Sequence, residues 1–333
     1  LVKFRGGYDY YNEVGIMNLQ VLESQFWSLC LQGIALGFIY VLISLGYTMV
    51  YGVLRLINFA NSEVFMVGTF ATVVAQVGIL QNQTDAQPLH GFRLIYTLTF
   101  ALVFSMLICG FLGILVELVA YRRLRALGAK PLGFLISAIA TSIVLLETTR
   151  ILTFSRPQTS PRLLDKWSFG EFAGANFRID TVMVIISGIV IFFTLDRFVT
   201  KTRLGKAIRA VSMSEEISKL MGINLNRVVS LTFFIGGLTT GAAAFFYTTV
   251  YETTQFNVGF NLGLAAFTTA VLGGIGNLRG AFYGGMFLGV LEQFASAILG
   301  SQWKSVTVFT VLVLVLLLKP NGIFGEAVQQ TRT

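Results

Sequence analysis

The chain alternates long apolar runs with short polar ones. A spanning helix needs about 20 mostly apolar residues. Runs of roughly that kind recur at 26–50, 58–80, 94–119, 132–153, 181–199, 227–250, 262–276, 281–299 and 305–319. They predict an all-α fold, a polytopic membrane helix bundle of about eight or nine transmembrane segments. The run at 262–276 is short and carries Gly273, Gly274 and Gly276. It reads as a half-helix or re-entrant segment as readily as a full crossing. Glycines spaced four apart, at Gly33/Gly37, Gly237/Gly241, Gly280/Gly284 and Gly285/Gly289, fall on one helix face each and predict close helix packing.

Residues 1–16 are polar and aromatic, and Met17 opens the segment leading into the first run. They read as an extension, non-native or disordered, ahead of one transmembrane domain over 17–333. The first apolar run is too long for a signal peptide and is followed by further spans. The stretch 155–180 is the longest outer loop. Pro157, Pro161, Gly170 and Gly174 break any helix there, so it is a connector or a docking surface for an external partner.

Composition agrees with a membrane chain. Hydrophobic residues make up 55% and charged residues 12%, against about 25% charged in soluble domains. The net charge of +8 sits in the loops, so it speaks for membrane orientation and not for nucleic acid. With nine crossings, Arg55, the cluster Arg122–Lys130, the run Arg197–Arg227, Arg279, Lys319 and Arg332 share one side. That side is the cytoplasmic one by the positive-inside rule, with the C-terminus inside and the N-terminus outside.

Several chemistries are excluded. Cys30 and Cys109 lie inside apolar runs, which argues against a disulfide framework. His90 is the single histidine, with no second metal ligand nearby. There is no Ser/His/Asp set and no paired catalytic carboxylate, so no catalytic residue, metal or cofactor is expected. The glycine block at 273–280 superficially suggests a phosphate loop. It lacks the Gly-Lys-Ser/Thr ending and no strand precedes it.

Two constellations stand out. On an α-helix at about 100° per residue, Asn58, Asn61, Ser62, Thr69, Thr72 and Gln76 share one face of the second span, while Glu63 falls off it. Polar groups facing lipid are costly, so this stripe meets either neighbouring helices or a translocation path. Gly273, Gly274, Gly276 and Asn277 offer backbone N–H groups that could receive a carboxylate on the same path. The second constellation lies in the basic loop 200–226. Ser212 and Glu215 fit a capping box that starts a short helix. Met213, Ile217, Leu220 and Met221 then form one apolar face, and Gly222 supplies the stop. Such a helix lies on the lipid surface or docks in a partner's groove.

Glu216, with Gly222 six residues later, resembles the E-A-A-x-x-x-G loop of ABC importer permeases, with Ile217 and Ser218 in place of the alanines. Four blocks in order, at 33–63, 120–145, 204–237 and 271–289, resemble the permease subunits of branched-chain amino acid ABC importers. Where that family usually reads N-F-A-H-G-E, this chain has Asn61 and Ser62 in place of histidine and glycine. The resemblance implies a passive permease subunit in a bacterial inner membrane. It implies a paralogous second permease, two cytoplasmic ATPases that dock on the 213–222 segment, and a periplasmic solute-binding protein. Urea or short amides are the nearest rival substrates. An ion-coupled transporter is the rival class, but ionisable groups are scarce in the span centres.

Overall fold

The computed structural model describes residues 7–82, 89, 91–164, 168–172 and 175–325, with side chains from Gln25 onward except at 168–172 and 175–177. His90, Gly174 and Arg332, singled out above, lie outside the described residues, as do residues 1–6 of the N-terminal stretch.

The helices are α1 (Gly7–Leu54), α2 (Asn61–Val73), α3 (Gly91–Val116), α4 (Arg123–Ala126), α5 (Pro131–Leu152), α6 (Ile179–Lys201), α7 (Arg203–Met213), α8 (Glu215–Leu220), α9 (Leu225–Tyr251), α10 (Val258–Gly273), α11 (Leu278–Leu299) and α12 (Lys304–Leu318). Among the described residues, eight segments are long and apolar enough to cross a membrane, and α10 is a shorter apolar helix. The helical bundle is thus as the apolar runs predict. Pro131 opens α5, where its missing N–H costs nothing. Wide π-helical turns extend α2 over Val74–Ile79 and α3 over Glu117–Arg122.

Among the described residues, four short strands also appear in the connections between helices. Gln158–Thr159 (β1) pairs antiparallel with Thr253–Thr254 (β4), and Ser168–Phe172 (β2) pairs with Ala175–Arg178 (β3). The loop 155–180 is therefore partly a hairpin, tied to the far end of α9 through β1.

The predicted glycine pairs are where backbones meet. A Cβ on Gly33 would lie 2.7 Å from Val290 Cα, and one on Gly37 2.8 Å from Gly285 O. Gly33 and Gly37 of α1 thus interlock with Gly285 and Gly289 of α11. Gly237 and Gly241 of α9 meet the α3 backbone at Cys109 and Ser105, and Gly280 and Gly284 of α11 meet Gly273 and Thr269 of α10. Lipid tails are as apolar as the helices, so close van der Waals packing replaces the hydrophobic drive between spans. The result is an inner group of α1, α2, α9 and α10, with α5, α6 and α12 exposing most of their surface.

Polar contacts define the two ends. Arg55 Nη2 donates to Ser212 O (3.3 Å), Arg125 Nη2 to Asn226 Oδ1 (2.9 Å), and Arg279 pairs with Asp196 (3.2 Å). These join the ends of α1, α4, α6 and α7 to the starts of α9 and α11 as one basic end. β1 and β4 mark the opposite, far end. Helix α10 starts just after β4 and finishes at Gly273, against Gly280 beside Arg279. It therefore carries the chain from the far end to the basic end in about 24 Å, at 1.5 Å per residue. The short seventh run is one continuous helix that changes ends.

Candidate translocation path and docking surface

Helix α2 is enclosed by α1, α3, α9 and α10. All six stripe residues are buried, although Asn58 precedes the helix in the turn from α1. Asn58 Oδ1 accepts from Ala60 N (3.2 Å) and from Tyr121 OH (3.1 Å). Asn61 Nδ2 donates to Ile43 O of α1 (3.3 Å), and its Oδ1 accepts from Thr240 Oγ1 of α9 (3.2 Å). Ser62 and Thr72 return their hydroxyls to their own helical turns, at Phe59 O (2.7 Å) and Gly68 O (2.9 Å). Thr69 donates to Met66 O and meets Thr254 of β4, and Ser160 donates to Gln76 Oε1. The stripe therefore runs from α1 and α9 towards the β1–β4 end, hydrogen-bonded along its length.

Glu63, off the stripe by angle, is also buried, under Gly259 of α10. A helix packed on every side buries every face, so the angular argument cannot separate Glu63 from the stripe. Its Oε2 has no hydrogen-bond partner.

The glycine block sits elsewhere. Gly274 and Gly276 have φ of 94° and 97°, a region that favours glycine, and turn the chain from α10 into α11 at the basic end. Several N–H groups of this turn are already engaged. Asn277 Oδ1 caps Arg279 N and Gly280 N (3.1 Å each), Gly274 N donates to Val271 O, and Asn277 N to Gly274 O. A Cβ on Gly274 would lie 2.6 Å from Gly325 N. No described hydrogen bond joins the block to the stripe.

At the basic end, Glu117 is fully buried in the π turn after α3. It accepts from Arg122 and Arg125 (2.9 Å each) and from Ser230 Oγ (2.9 Å), which locks this corner to α9. Nearby, α7 covers the bundle with Ile208 and Val211 while Arg203, Lys206 and Arg209 face outwards. Thr202 caps it through Gly205 N (3.0 Å).

The cap of the next helix differs from the predicted one. Ser212 ends α7, with its hydroxyl on Arg209 O (2.7 Å); Ser214 is the N-cap of α8, accepting from Ile217 N. Burial of Ile208 and Val211 carries α7 to Met213, past the capping box. Met213 is therefore not in the same helix as Ile217 and Leu220. Even so, Met213, Ile217, Leu220 and Met221 are 83, 63, 87 and 78% exposed, and Ser218 faces the body instead. Glu216 is exposed beside them, with Glu215 half-buried. Gly222, at φ 79°, donates to Lys219 O and ends the segment. These side chains form an apolar surface projecting from a basic loop.

One feature escaped the sequence reading. A cavity of about 340 Å³ opens between α1, α9, α10, α11 and α12, with Tyr40, Tyr247, Tyr251, Asn261, Glu292 and Lys304 on its wall. A second, of about 230 Å³, shares Tyr247 and Asn261 with it and reaches Thr254, the partner of Thr69. The stripe thus abuts a polar hollow towards the far end. The signal in the sequence was an acidic residue, Glu292, inside an apolar run.

A family model described as "Branched-chain amino acid transport system / permease component" matches residues 29–317. The high-affinity branched-chain amino acid transport system permease protein BraD of Pseudomonas aeruginosa is 37% identical over 297 residues, 88% of this chain and 94% of its own. The corresponding permease protein LivH of Escherichia coli K12 is 37% identical over 298 residues, with the same coverage. A solved inward-facing putative metal-chelate type ABC transporter covers 93% of this chain and 99% of its own at 14% identity, with a TM-score of 0.45, too loose to carry an argument. Matched over nearly its whole bundle, this chain belongs to the permease-component family of branched-chain amino acid transport systems.

Proposed function

We propose that this chain is a translocation subunit of an ATP-driven importer that brings neutral, branched-chain amino acids across a bacterial inner membrane. The observation that carries this reading is the 37% identity to permeases whose names state that role, over 94% of their length. The basic end faces the cytoplasm, with the C-terminus there and the N-terminus outside, because loops rich in Lys and Arg stay inside. The apolar surface of Met213, Ile217, Leu220 and Met221, with Glu215, Glu216 and Gly222 around it, docks a cytoplasmic ATPase. A second permease, a paralogue of this one, completes the membrane part, and an external binding protein delivers the solute.

Cells depending on this system should take up labelled leucine, and unlabelled valine or alanine should compete while sugars do not. Absence of competition by every neutral amino acid overturns the substrate reading.

The Asn58–Gln76 stripe borders the translocation path in this proposal. Its support is the row of buried polar groups that ends at Thr254 and the hollow beside it. Asn61→Leu removes bonds to α1 and α9, and Thr69→Leu removes the link to β4. Each strands a buried partner, at about 1–3 kcal/mol. Transport should fall several-fold in both while the subunits still co-purify. Loss of assembly in both would mean that the stripe is packing alone. The glycines 273–276 and Asn277 serve this path indirectly, by fixing where α10 ends and α11 begins.

A further inference from the structure

The cavity between α1, α9, α10, α11 and α12 brings an acidic and a basic side chain, Glu292 and Lys304, to one wall without a direct ion pair between them. Glu292 is only 4% exposed, and its described hydrogen bond is from Tyr40 OH, at 2.7 Å. A carboxylate has about four acceptor sites, so most of its capacity is unspent. Lys304 lies on the same cavity wall, within electrostatic reach of Glu292, yet the two make no direct ion pair. Glu292 lies roughly 21 Å along α11 from Leu278, within a span, where an ionised group without a partner is costly.

We propose that this cavity is the subsite that takes the head group of a free amino acid, with Glu292 receiving the α-ammonium and Lys304 the α-carboxylate. The proposal rests on the importer reading and names where its substrate is held. A simple cation would meet Lys304, and a simple anion would meet Glu292. A small zwitterion satisfies both charges at once. The rings of Tyr247 and Tyr251, with centroids 4.6 Å apart, stand on the same wall, and aromatic rings attract an ammonium group. Leu36, Ala265 and Val308 supply apolar wall for an aliphatic side chain. The volume, about 340 Å³, lies at the small end of the usual range of about 300–1,000 Å³ for ligand sites.

The test uses the full chain in lipid nanodiscs, titrated by calorimetry with L-leucine, L-leucinamide and 4-methylpentanoate. Leucine should bind at least tenfold more tightly than either singly charged analogue. Glu292→Gln should weaken leucine at least tenfold and leave 4-methylpentanoate unweakened. Lys304→Met should weaken leucine likewise and leave leucinamide unweakened. Lys304 is half-exposed, so this variant keeps the test open if Glu292→Gln does not fold. Equal binding of the three compounds, no leucine binding, or variants that bind leucine like wild type would each overturn the proposal. Leucine uptake by cells is measured alongside. Normal uptake with cavity variants that bind like wild type removes the subsite alone. Charge-dependent binding without leucine uptake removes the importer reading and leaves the subsite standing.

Discussion

Replacing Gly289 with leucine should remove nearly all folded protein from the membrane. A Cβ at this position would stand 2.4 Å from Gly37 N and 2.5 Å from both Gly37 Cα and Gly33 O. All three are backbone atoms of α1, the central helix, so no side chain can swing aside. The helices would have to separate along the Gly33–Gly37 and Gly285–Gly289 seam. Overpacking a core commonly costs about 1–3 kcal/mol, and a backbone clash on this scale belongs at or above the top of that range. Proteins in general are stable by only about 5–15 kcal/mol. The control is Gly133→Ala, whose new Cβ would meet only Ala129 Cβ at 3.6 Å. Fluorescence-detected size-exclusion of tagged protein should show a monodisperse peak for the control and none for Gly289→Leu. Equal peaks would mean that the α1–α11 seam is looser than the packing described above.

Ile217→Asp should abolish transport while leaving the membrane bundle intact. Ile217 is exposed on α8, so the change costs this chain little on its own. In the proposed complex the new carboxylate would be buried against an ATPase groove without a partner. An uncompensated buried charge costs about 3–5 kcal/mol, which is roughly two to four powers of ten in affinity. The expected result is a permease that purifies with unchanged thermal stability but without its ATPases, or a complex that hydrolyses ATP without moving substrate. Leu220→Asp should behave the same way, because Leu220 stands on the same surface. If co-purification and substrate-stimulated turnover stay normal in both, α8 rests on lipid and the docking assignment fails.

The extent to which the chain was legible follows the range of the interactions involved. Span positions are local: each depends on about 20 consecutive apolar residues. The glycine pairs are also local signals, since residues four apart share a helix face. Their partners are not. Nothing within Gly33–Gly37 says that it meets Gly289 rather than Gly241. The capping box at Ser212 is a local match that lost to packing, because Ile208 and Val211 gain more from staying in α7 than Ser212 gains from starting α8. The polar stripe was visible by angle, but the burial of Glu63 was not, because it comes from α10, almost 200 residues later in the chain.

The order of residues alone established that this is a polytopic helical membrane chain, which faces of its helices pack closely, and that a basic loop carries an apolar segment. It did so because hydropathy and helical period act over a few turns of chain. The tertiary structure alone decided that α10 runs from one end to the other, that the glycine turn is spent on joining α10 to α11, and that Tyr40, Glu292 and Lys304 line one cavity. Those outcomes depend on contacts between residues as far apart as Tyr40 and Glu292, brought together only when glycine seams let the backbones of α1 and α11 touch.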